Sequence, residues 1–229
     1  MADTHLSTSV PKPMDRFGNR WIDYMDRLTA GWNETVRPED TVIVPGDISW
    51  GLTLEEAASD LIFLHRLNGR KILLKGNHDY WWQSERKMKA FFEANGLDSL
   101  FLLRNNAYAA EGKRICGSRG WYYDPHNAPG DVDCAKITAR ETIRAELSIR
   151  AALALPEGDE LIAFFHFPPV YRSFVCRGLV DLLKRYGIRR CYYGHIHNNY
   201  DLPPSFSFEG ISMTIVSADY LNFRPLPIV

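Results

Sequence analysis

Carboxylate, amide and imidazole side chains recur where the sequence predicts that strands end. They are Asp47, Asn77, His78, His166, His195 and His197. Asp3 and His5, near the start of the chain, are residues of the same types. In an open α/β sheet, ligands gather outside the carboxyl ends of the strands. One such residue alone has an ordinary explanation, since aspartate favours turns and many histidines are structural. Their recurrence, however, predicts one shared site.

Two pairs of these donors are spaced two residues apart, Asp3 with His5 and His195 with His197. On extended backbone, residues i and i+2 face the same way with a rise of about 6.6 Å between them. Two metal ions about 3.5 to 4 Å apart could therefore take one donor from each pair. Imidazoles and carboxylates without a thiolate suit manganese, iron or zinc better than calcium or a cysteine-rich structural zinc. The residues alone leave the choice among those three metals open.

The elements that must position these donors alternate strand with helix, which predicts an α/β architecture with a largely buried central sheet. Short apolar strands are expected at 41–44, 71–74, 160–165 and 190–193. Helices are expected around 21–32, 53–68, 83–95, 134–155 and 179–186. Three β-like pieces near 100–103, 107–111 and 114–117 are expected to be antiparallel additions. Residues 118–133 predict a long loop that borders the site.

The chain has 229 residues, of which 45% are apolar and 24% are charged, and its formal net charge is -1. These proportions predict one globular domain over residues 1–229 and exclude collagen-like and disordered chains. No apolar run approaches the roughly 18 to 20 residues of a membrane span, and the N-terminus lacks the apolar core of a secretory signal. We therefore expect a cytoplasmic protein with reduced cysteines and no general attraction to nucleic acid or membranes.

Five blocks of the sequence stand in a fixed order. They are Asp3-Thr4-His5, Gly46-Asp47, Gly76-Asn77-His78-Asp79, His166 and Gly194-His195-Ile196-His197. In this order the blocks resemble those of the calcineurin-like metallophosphoesterase superfamily. Finer features, such as the segments 46–50 and 217–223, are similar to a group of bacterial predicted phosphohydrolases. The resemblance implies an α/β fold, a four-layer α/β/β/α sandwich with mixed sheets.

The resemblance also implies a dinuclear metal centre whose ligands can be carried over residue by residue. One ion would be held by Asp3, His5 and His197 and the other by Asn77, His166 and His195, with Asp47 bridging both. His78 would not be a ligand but would assist the leaving group, with Asp79 orienting it. The implied reaction is hydrolysis of a phosphomonoester or phosphodiester by a hydroxide that bridges the two metal ions. Manganese is the expected metal, with iron or zinc as alternatives.

Two other functions stay open at this point. Related repair nucleases share these blocks, although the balanced charge and the lack of a long appended domain argue against duplex binding. Some relatives use the fold as a non-catalytic scaffold that binds proteins, but loss of ligands would mark that class, and none is lost here. We therefore expect a small phosphate ester as substrate, with nucleic acid less favoured and no membrane partner. Trp50, His126 and Arg172 are weaker candidates for the mouth of the site.

The start of the chain departs from the family pattern. Only Met1 and Ala2 precede Asp3, whereas strands are usually about 5 to 6 residues long. A first strand is therefore expected to be missing or nearly so. Either the protein begins upstream of Met1, which is the alternative we favour, or the part of the site that carries Asp3 and His5 is poorly anchored.

Overall fold

The computed structural model describes residues 1–122 and 133–228. Over these residues there are five α-helices: α1 (Tyr24–Thr35), α2 (Ala58–Arg66), α3 (Glu85–Ala94), α4 (Cys134–Leu153) and α5 (Arg177–Arg185). The first strands are β1 (Thr41–Pro45), β2 (Arg70–Leu74), β3 (Leu100–Leu102), β4 (Tyr108–Ala110) and β5 (Lys113–Ser118). The later strands are β6 (Glu160–Phe165), β7 (Val170–Tyr171), β8 (Phe174–Val175), β9 (Arg190–Tyr193), β10 (Ser205–Phe208) and β11 (Ile211–Ile215).

The described strands form two main sheets. The smaller sheet has the order β1-β2-β3, and both of its pairings are parallel. The larger sheet has the order β10-β11-β9-β6-β5-β4; it is parallel from β11 to β5 and antiparallel at its two edges. Strands β7 and β8 pair separately as a short hairpin. The sheets are therefore mixed, as predicted.

Alternate residues along the strands belong to different apolar cores. In β1, Val42 and Val44 pack with the helices α1, α2 and α3, whereas Ile43 packs with residues of the larger sheet. In β6, Phe165 packs with α4 and α5, whereas Phe164 packs with the smaller sheet. Helices thus cover both outer faces, and the two sheets pack against each other. The four-layer α/β/β/α fold predicted from the sequence is confirmed.

The expectation that the strands between 100 and 117 are antiparallel additions is wrong for two of the three. Strand β3 pairs parallel with β2, and β5 pairs parallel with β6; only β4 is antiparallel, to β5. The reason is that α3 links β2 to β3 and α4 links β5 to β6, and a helical crossover returns the chain in the same direction. Strands β10 and β11 were not predicted, although burial alternates along β11 with the period of two that a half-covered strand shows.

The first residues of the chain lie between the two sheets. The Ala2 amide donates to the Val216 carbonyl at 2.7 Å, and the Asp3 amide donates to the Gly46 carbonyl at 2.9 Å. The His5 amide donates to the Asp47 carbonyl at 3.0 Å, in the segment that follows β1. The segment that carries Asp3 and His5 is therefore hydrogen-bonded on both sides, so the structure does not show the poor anchoring that the sequence analysis considered.

The loop expected at 118–133 lies mostly outside the described residues, and His126 lies outside them as well. The described part of this region consists of the end of β5 at Ser118 and the start of α4 at Cys134, with the residues next to them. In the part of the chain that is described, each helix is too short or too polar to cross a lipid bilayer.

Lys71 is a fully buried lysine at the start of β2, close to the end of α2. Its ammonium group donates to the carbonyls of His65 at 3.0 Å, Leu67 at 2.7 Å and Gly69 at 2.7 Å. The last carbonyls of a helix have no partner within that helix, so a buried helix end needs donors from elsewhere. Lys71 supplies these donors and so allows α2 to end inside the protein.

We expect Lys71→Met to lower the free energy of unfolding by about 2 to 4 kcal/mol, because methionine fills a similar volume but removes the ammonium donor of the Leu67 and Gly69 carbonyls and one of the two donors of the His65 carbonyl. Urea denaturation measures the change. The matched control is Lys87→Met on the exposed face of α3, which should change stability by less than about 0.5 kcal/mol. Equal stabilities of the two variants would contradict the role assigned to Lys71.

Candidate metal centre

Acidic and imidazole side chains from both sheets meet at the carboxyl ends of the strands. Two groups of donors form there, and within each group the potential ligand atoms all lie within 4.8 Å of one another. The groups are Asp3, His5 and His197, and Asp47, His166 and His195. The structure therefore brings together six residues that the sequence analysis placed in one site.

The Asp47 carboxylate, counted above with the second group, also faces a donor of the first. Its Oδ2 atom is 3.8 Å from His5 Nε2 and 3.5 Å from His166 Nε2, while Oδ1 accepts a hydrogen bond from the His78 amide at 2.8 Å. Asn77, the seventh predicted donor, lies beside the second group, with its Oδ1 atom 2.6 Å from His166 Nε2. One carboxylate oxygen thus faces donors of both groups, which is the placement that a shared ligand needs.

Glycines directly before the donors let the strand ends approach one another. A Cβ atom at Gly76 would lie 2.1 Å from Asp47 Oδ1, and one at Gly194 would lie 2.6 Å from Asp3 Oδ2. Real Cβ atoms do not come within 3.0 Å of other heavy atoms. Any other residue at these two positions would therefore displace the carboxylates of Asp47 and Asp3.

Four of the donors have left-handed backbone conformations. Their φ angles are 58° at Asp3, 44° at His5, 52° at Asp47 and 70° at His195. Residues other than glycine rarely adopt this region, and each such residue costs about 1 to 3 kcal/mol. Strain of this kind persists only where the surrounding structure enforces it, and it clusters at functional sites. The strained donors therefore indicate that the fold maintains this cluster for a function.

Acceptors outside the cluster fix which nitrogen of two histidines faces inward. His166 Nδ1 donates to the Pro45 carbonyl at 3.1 Å, and His197 Nδ1 donates to Asp219 Oδ1 at 2.8 Å. The Nε2 atom of each ring is therefore the one that faces the other donors. His197 Nε2 lies 3.2 Å from His5 Nε2. Both rings are thus oriented for binding through Nε2.

Asp219 is a buried carboxylate that the sequence analysis did not assign to the site. Besides His197, it accepts hydrogen bonds from the Asn198 amide at 3.1 Å and the Tyr200 hydroxyl at 3.0 Å. Burial alone raises the pKa of Asp219, but its hydrogen bonds with these groups lower the pKa overall, so the carboxylate is ionised. For His197, burial lowers the pKa, but Asp219 and Asp3 outweigh it and raise the pKa to about 9. The only sequence signal for Asp219 was its place in the segment 217–223, which the family resemblance singled out without a role.

The donor set has the properties of a cation site. Asp3 Oδ1 is buried and has no hydrogen-bond partner among the described residues. His166 Nε2 bears a lone pair, because Nδ1 carries the proton, and it faces the Asn77 amide oxygen. Burial is the main reason that the pKa of Asp3 rises to about 8 and that of His166 falls to about 3. A divalent cation would satisfy all of these atoms at once, so the residues fit a metal ion.

The His78 ring lies at the rim of the cluster. It is half-buried, with its centroid 4.7 Å from the Trp50 ring and 5.8 Å from the His5 ring. Trp50 in turn stacks on His5 with the centroids 4.9 Å apart, so the indole forms a wall beside both histidines. Arg172 lies in the turn between β7 and β8, with its guanidinium group 5.3 Å from the Tyr171 ring, and its expected place at the mouth of the site stays a prediction.

The Asp79 carboxylate holds the backbone beneath the cluster. It is fully buried and accepts hydrogen bonds from four backbone amides and one indole N–H, which belong to Asp47, Ile48, Ser49, Gly76 and Trp81. Burial, followed by the charge of Asp47, raises the pKa of Asp79 to about 7. Within the described residues it makes no hydrogen bond to the His78 ring, so its expected role in orienting His78 stays a prediction. What the carboxylate does is tie the Gly46-Asp47 loop to the turn at 76–79.

Solved structures support the fold assignment. The chain resembles TT1561 of Thermus thermophilus with a TM-score of 0.57 and 12% identity, over 88% of this chain and 86% of that one. It also resembles AQ665, a protein of unknown function from Aquifex aeolicus, with a TM-score of 0.50 and 19% identity, over 99% of this chain and 92% of that one. At these identities the likeness shows the fold alone.

Sequence comparison gives the family. No curated protein matches the chain significantly. The sequence pattern of the calcineurin-like phosphoesterases, in contrast, matches residues 1–199, which span all the donors of the cluster. Since this match covers most of the chain, and the donors fit metal ions, the chain belongs to the calcineurin-like phosphoesterase family and is a metal-dependent phosphoesterase.

Proposed function

We propose that the chain hydrolyses a phosphomonoester or a phosphodiester at a centre that holds two divalent metal ions. One ion would be held by Asp3, His5 and His197 and the second by Asn77, His166 and His195, with Asp47 shared between them. The observation that carries the proposal is the position of Asp47 Oδ2, 3.8 Å from His5 Nε2 and 3.5 Å from His166 Nε2. A site for one ion would need no carboxylate placed between two complete groups of donors.

The bound ions would supply Lewis acidity, lowering the pKa of a water molecule toward neutrality and neutralising charge on the phosphate ester. The donor set has two carboxylates, Asp3 and Asp47, and its other members are imidazoles, which bind a metal ion in their neutral form, and one amide. The loaded site therefore keeps a positive charge, which favours an anionic substrate. Nitrogen and oxygen donors without a thiolate are compatible with manganese, which we propose as the metal, and equally with iron or zinc.

His78 is the residue that we propose for the leaving group. Its backbone amide is fixed by Asp47 Oδ1 at 2.8 Å, so the ring stays beside the donor cluster. Trp50 packs against one side of the ring and limits its rotation, while part of the ring remains accessible to a substrate. From this position the imidazole would donate a proton or a hydrogen bond to the departing alkoxide oxygen. Asp79 would support this step indirectly, by holding the turn that carries His78.

We expect chelator-stripped protein to bind two equivalents of manganese and then to hydrolyse 4-nitrophenyl phosphate or bis(4-nitrophenyl) phosphate. Asp47→Asn should bind fewer than two equivalents and lose at least about 100-fold in turnover, because this carboxylate serves both ions. Metal analysis after gel filtration and a colorimetric assay measure the two effects. The matched control is Asp98→Asn, whose side chain is 93% exposed and remote from the donors. Full activity with one bound equivalent would contradict the dinuclear centre.

We expect His78→Ala to keep both metal ions but to lose about 100- to 10,000-fold in turnover on alkyl phosphates, whose leaving groups need a proton. The loss on 4-nitrophenyl phosphate should be smaller, because 4-nitrophenolate departs readily without one. The comparison of kcat for the two ester classes, with metal content measured on the same samples, tests this. Undiminished turnover of alkyl phosphates by the variant would refute the role of His78.

We expect Asp219→Asn to weaken the binding of one of the two metal ions by about 10- to 100-fold, because asparagine can accept the His197 hydrogen bond but brings no charge. Competition with a fluorescent chelator measures both affinities. Asp201→Asn, on the exposed surface nearby, serves as the control and should change neither affinity. If Asp219→Asn also left both affinities unchanged, Asp219 would have no part in positioning His197.

A further inference from the structure

A cavity lies beside the metal centre, between the carboxyl ends of β2 and β5. Its volume is about 440 Å³, within the range of about 300 to 1,000 Å³ that is typical of small-molecule sites. Lys75 and Arg104 line it from the smaller sheet, Arg119 from the larger sheet, and Arg140 and Arg144 from α4. Both sheets and one helix therefore contribute basic side chains to one recess.

The charge of this basic cavity contrasts with that of the whole chain, whose formal net charge is only -1. Glu141 is the one acidic residue among the described residues that line the cavity. Its Oε1 atom forms ion pairs with three arginines, Arg119 at 3.7 Å, Arg140 at 3.5 Å and Arg144 at 2.8 Å. One carboxylate cannot neutralise five basic side chains, so the cavity keeps a large positive excess.

Two of the basic side chains have donors that the described protein does not use. Arg119 Nε is buried and has no hydrogen-bond partner among the described residues. The Lys75 ammonium group likewise forms no hydrogen bond or ion pair with another described residue. Lys75 is partly exposed, so water can reach its ammonium group, whereas Arg119 Nε is buried. An anion bound in the cavity would accept hydrogen bonds from both groups.

The cavity adjoins the donor cluster through the chain itself. Lys75 stands two residues before Asn77, so both belong to the segment that leaves β2. The Arg119 carbonyl accepts a hydrogen bond from the Phe167 amide at 2.9 Å, and the Phe167 ring lies 5.0 Å from the ring of His166. The cavity is therefore a neighbour of the donor cluster, with the buried Phe167 ring between the Arg119 guanidinium group and His166.

We propose that this cavity binds a second phosphate group of the substrate while the ester to be cleaved lies at the metal centre. The inference rests on the proposed phosphoesterase function and narrows its substrate to small molecules that carry two phosphate groups. A terminal phosphate bears about -1.5 to -2 charge at neutral pH, and guanidinium groups bind its oxygens in pairs. A phosphate therefore matches the excess of basic side chains better than a single carboxylate. The recessed shape of the cavity favours a small molecule over a protein surface.

The test compares kcat/KM of the manganese-loaded full chain for adenosine 5′-monophosphate, adenosine diphosphate and adenosine 3′,5′-bisphosphate. We expect kcat/KM for at least one of the two-phosphate compounds to exceed that for the monophosphate by about tenfold or more. The identity of the preferred compound shows whether the two phosphate groups of the substrate are adjacent or separated. Arg104→Met with Arg140→Met should reduce that preference by about tenfold or more. Both side chains are exposed, so these substitutions leave no cavity in the core. Arg104→Lys with Arg140→Lys keeps the charges but not the paired donors and should lie in between.

The matched control is Arg150→Met, on the same helix α4 but outside the cavity, with a side chain 67% exposed and paired with Glu146. It should leave the preference unchanged. A binding experiment tests the cavity without turnover. Calorimetry measures the affinity of chelator-treated protein for adenosine 3′,5′-bisphosphate and adenosine diphosphate, and circular dichroism checks that the protein is folded. Binding that the Arg104→Met and Arg140→Met pair weakens about tenfold supports the proposal even if no ester is hydrolysed, in which case only the proposed function fails. Hydrolysis without any two-phosphate preference, and without such binding, overturns the cavity assignment and leaves the proposed function standing.

Discussion

The constraint on which the rest of this structure depends is the confinement of carboxylate and imidazole groups in a largely buried site. Asp3, Asp47 and Asp79 are all buried, and burial raises the pKa of each. His166 is buried as well, and burial lowers its pKa, so it too resists carrying charge. Such a cluster opposes folding unless cations or hydrogen-bond donors compensate it. The elements around the centre can be understood as the means of holding this unfavourable cluster together.

The means of compensation differ on the two sides of the centre. Below it, backbone amides donate to Asp79, so the loop that carries Asp47 and the turn that carries His78 form one unit. On the opposite side, the ionised Asp219 anchors His197 and the residue after it. Between them the ligands come from both sheets, so the core where the sheets meet sets the separation of the two donor groups. A change in that inter-sheet core would act on the centre without touching a donor.

Much of this arrangement could be predicted from the sequence, for identifiable reasons. The strands before the donors are short apolar runs, and glycine, aspartate or asparagine marks their ends, so strand ends and donors were found together. The pairing direction of β3 and β5 was missed because it depends on the helical crossovers, not on the strands themselves. Asp219 was not assigned because its partner His197 lies 22 residues away and only the fold brings the two together. The left-handed backbone at the donors leaves no distinct mark in the sequence, since aspartate and histidine tolerate it better than most residues.

The distribution of charged side chains in the structure could not be predicted from the net charge of the chain. From the net charge of -1, the sequence analysis predicted no general attraction to nucleic acid or membranes. The structure gathers five basic side chains and one acidic side chain, Glu141, around the basic cavity. This cavity neighbours the donor cluster, whose charged members are the carboxylates of Asp3 and Asp47. The strand ends that hold the donor cluster are strained and tightly packed, so they tolerate little change. The arginines of the recess are partly exposed, and two of them lie on α4, which contributes no donor to the centre. Substrate preference can therefore change through these arginines while the geometry of the reactive centre stays constant.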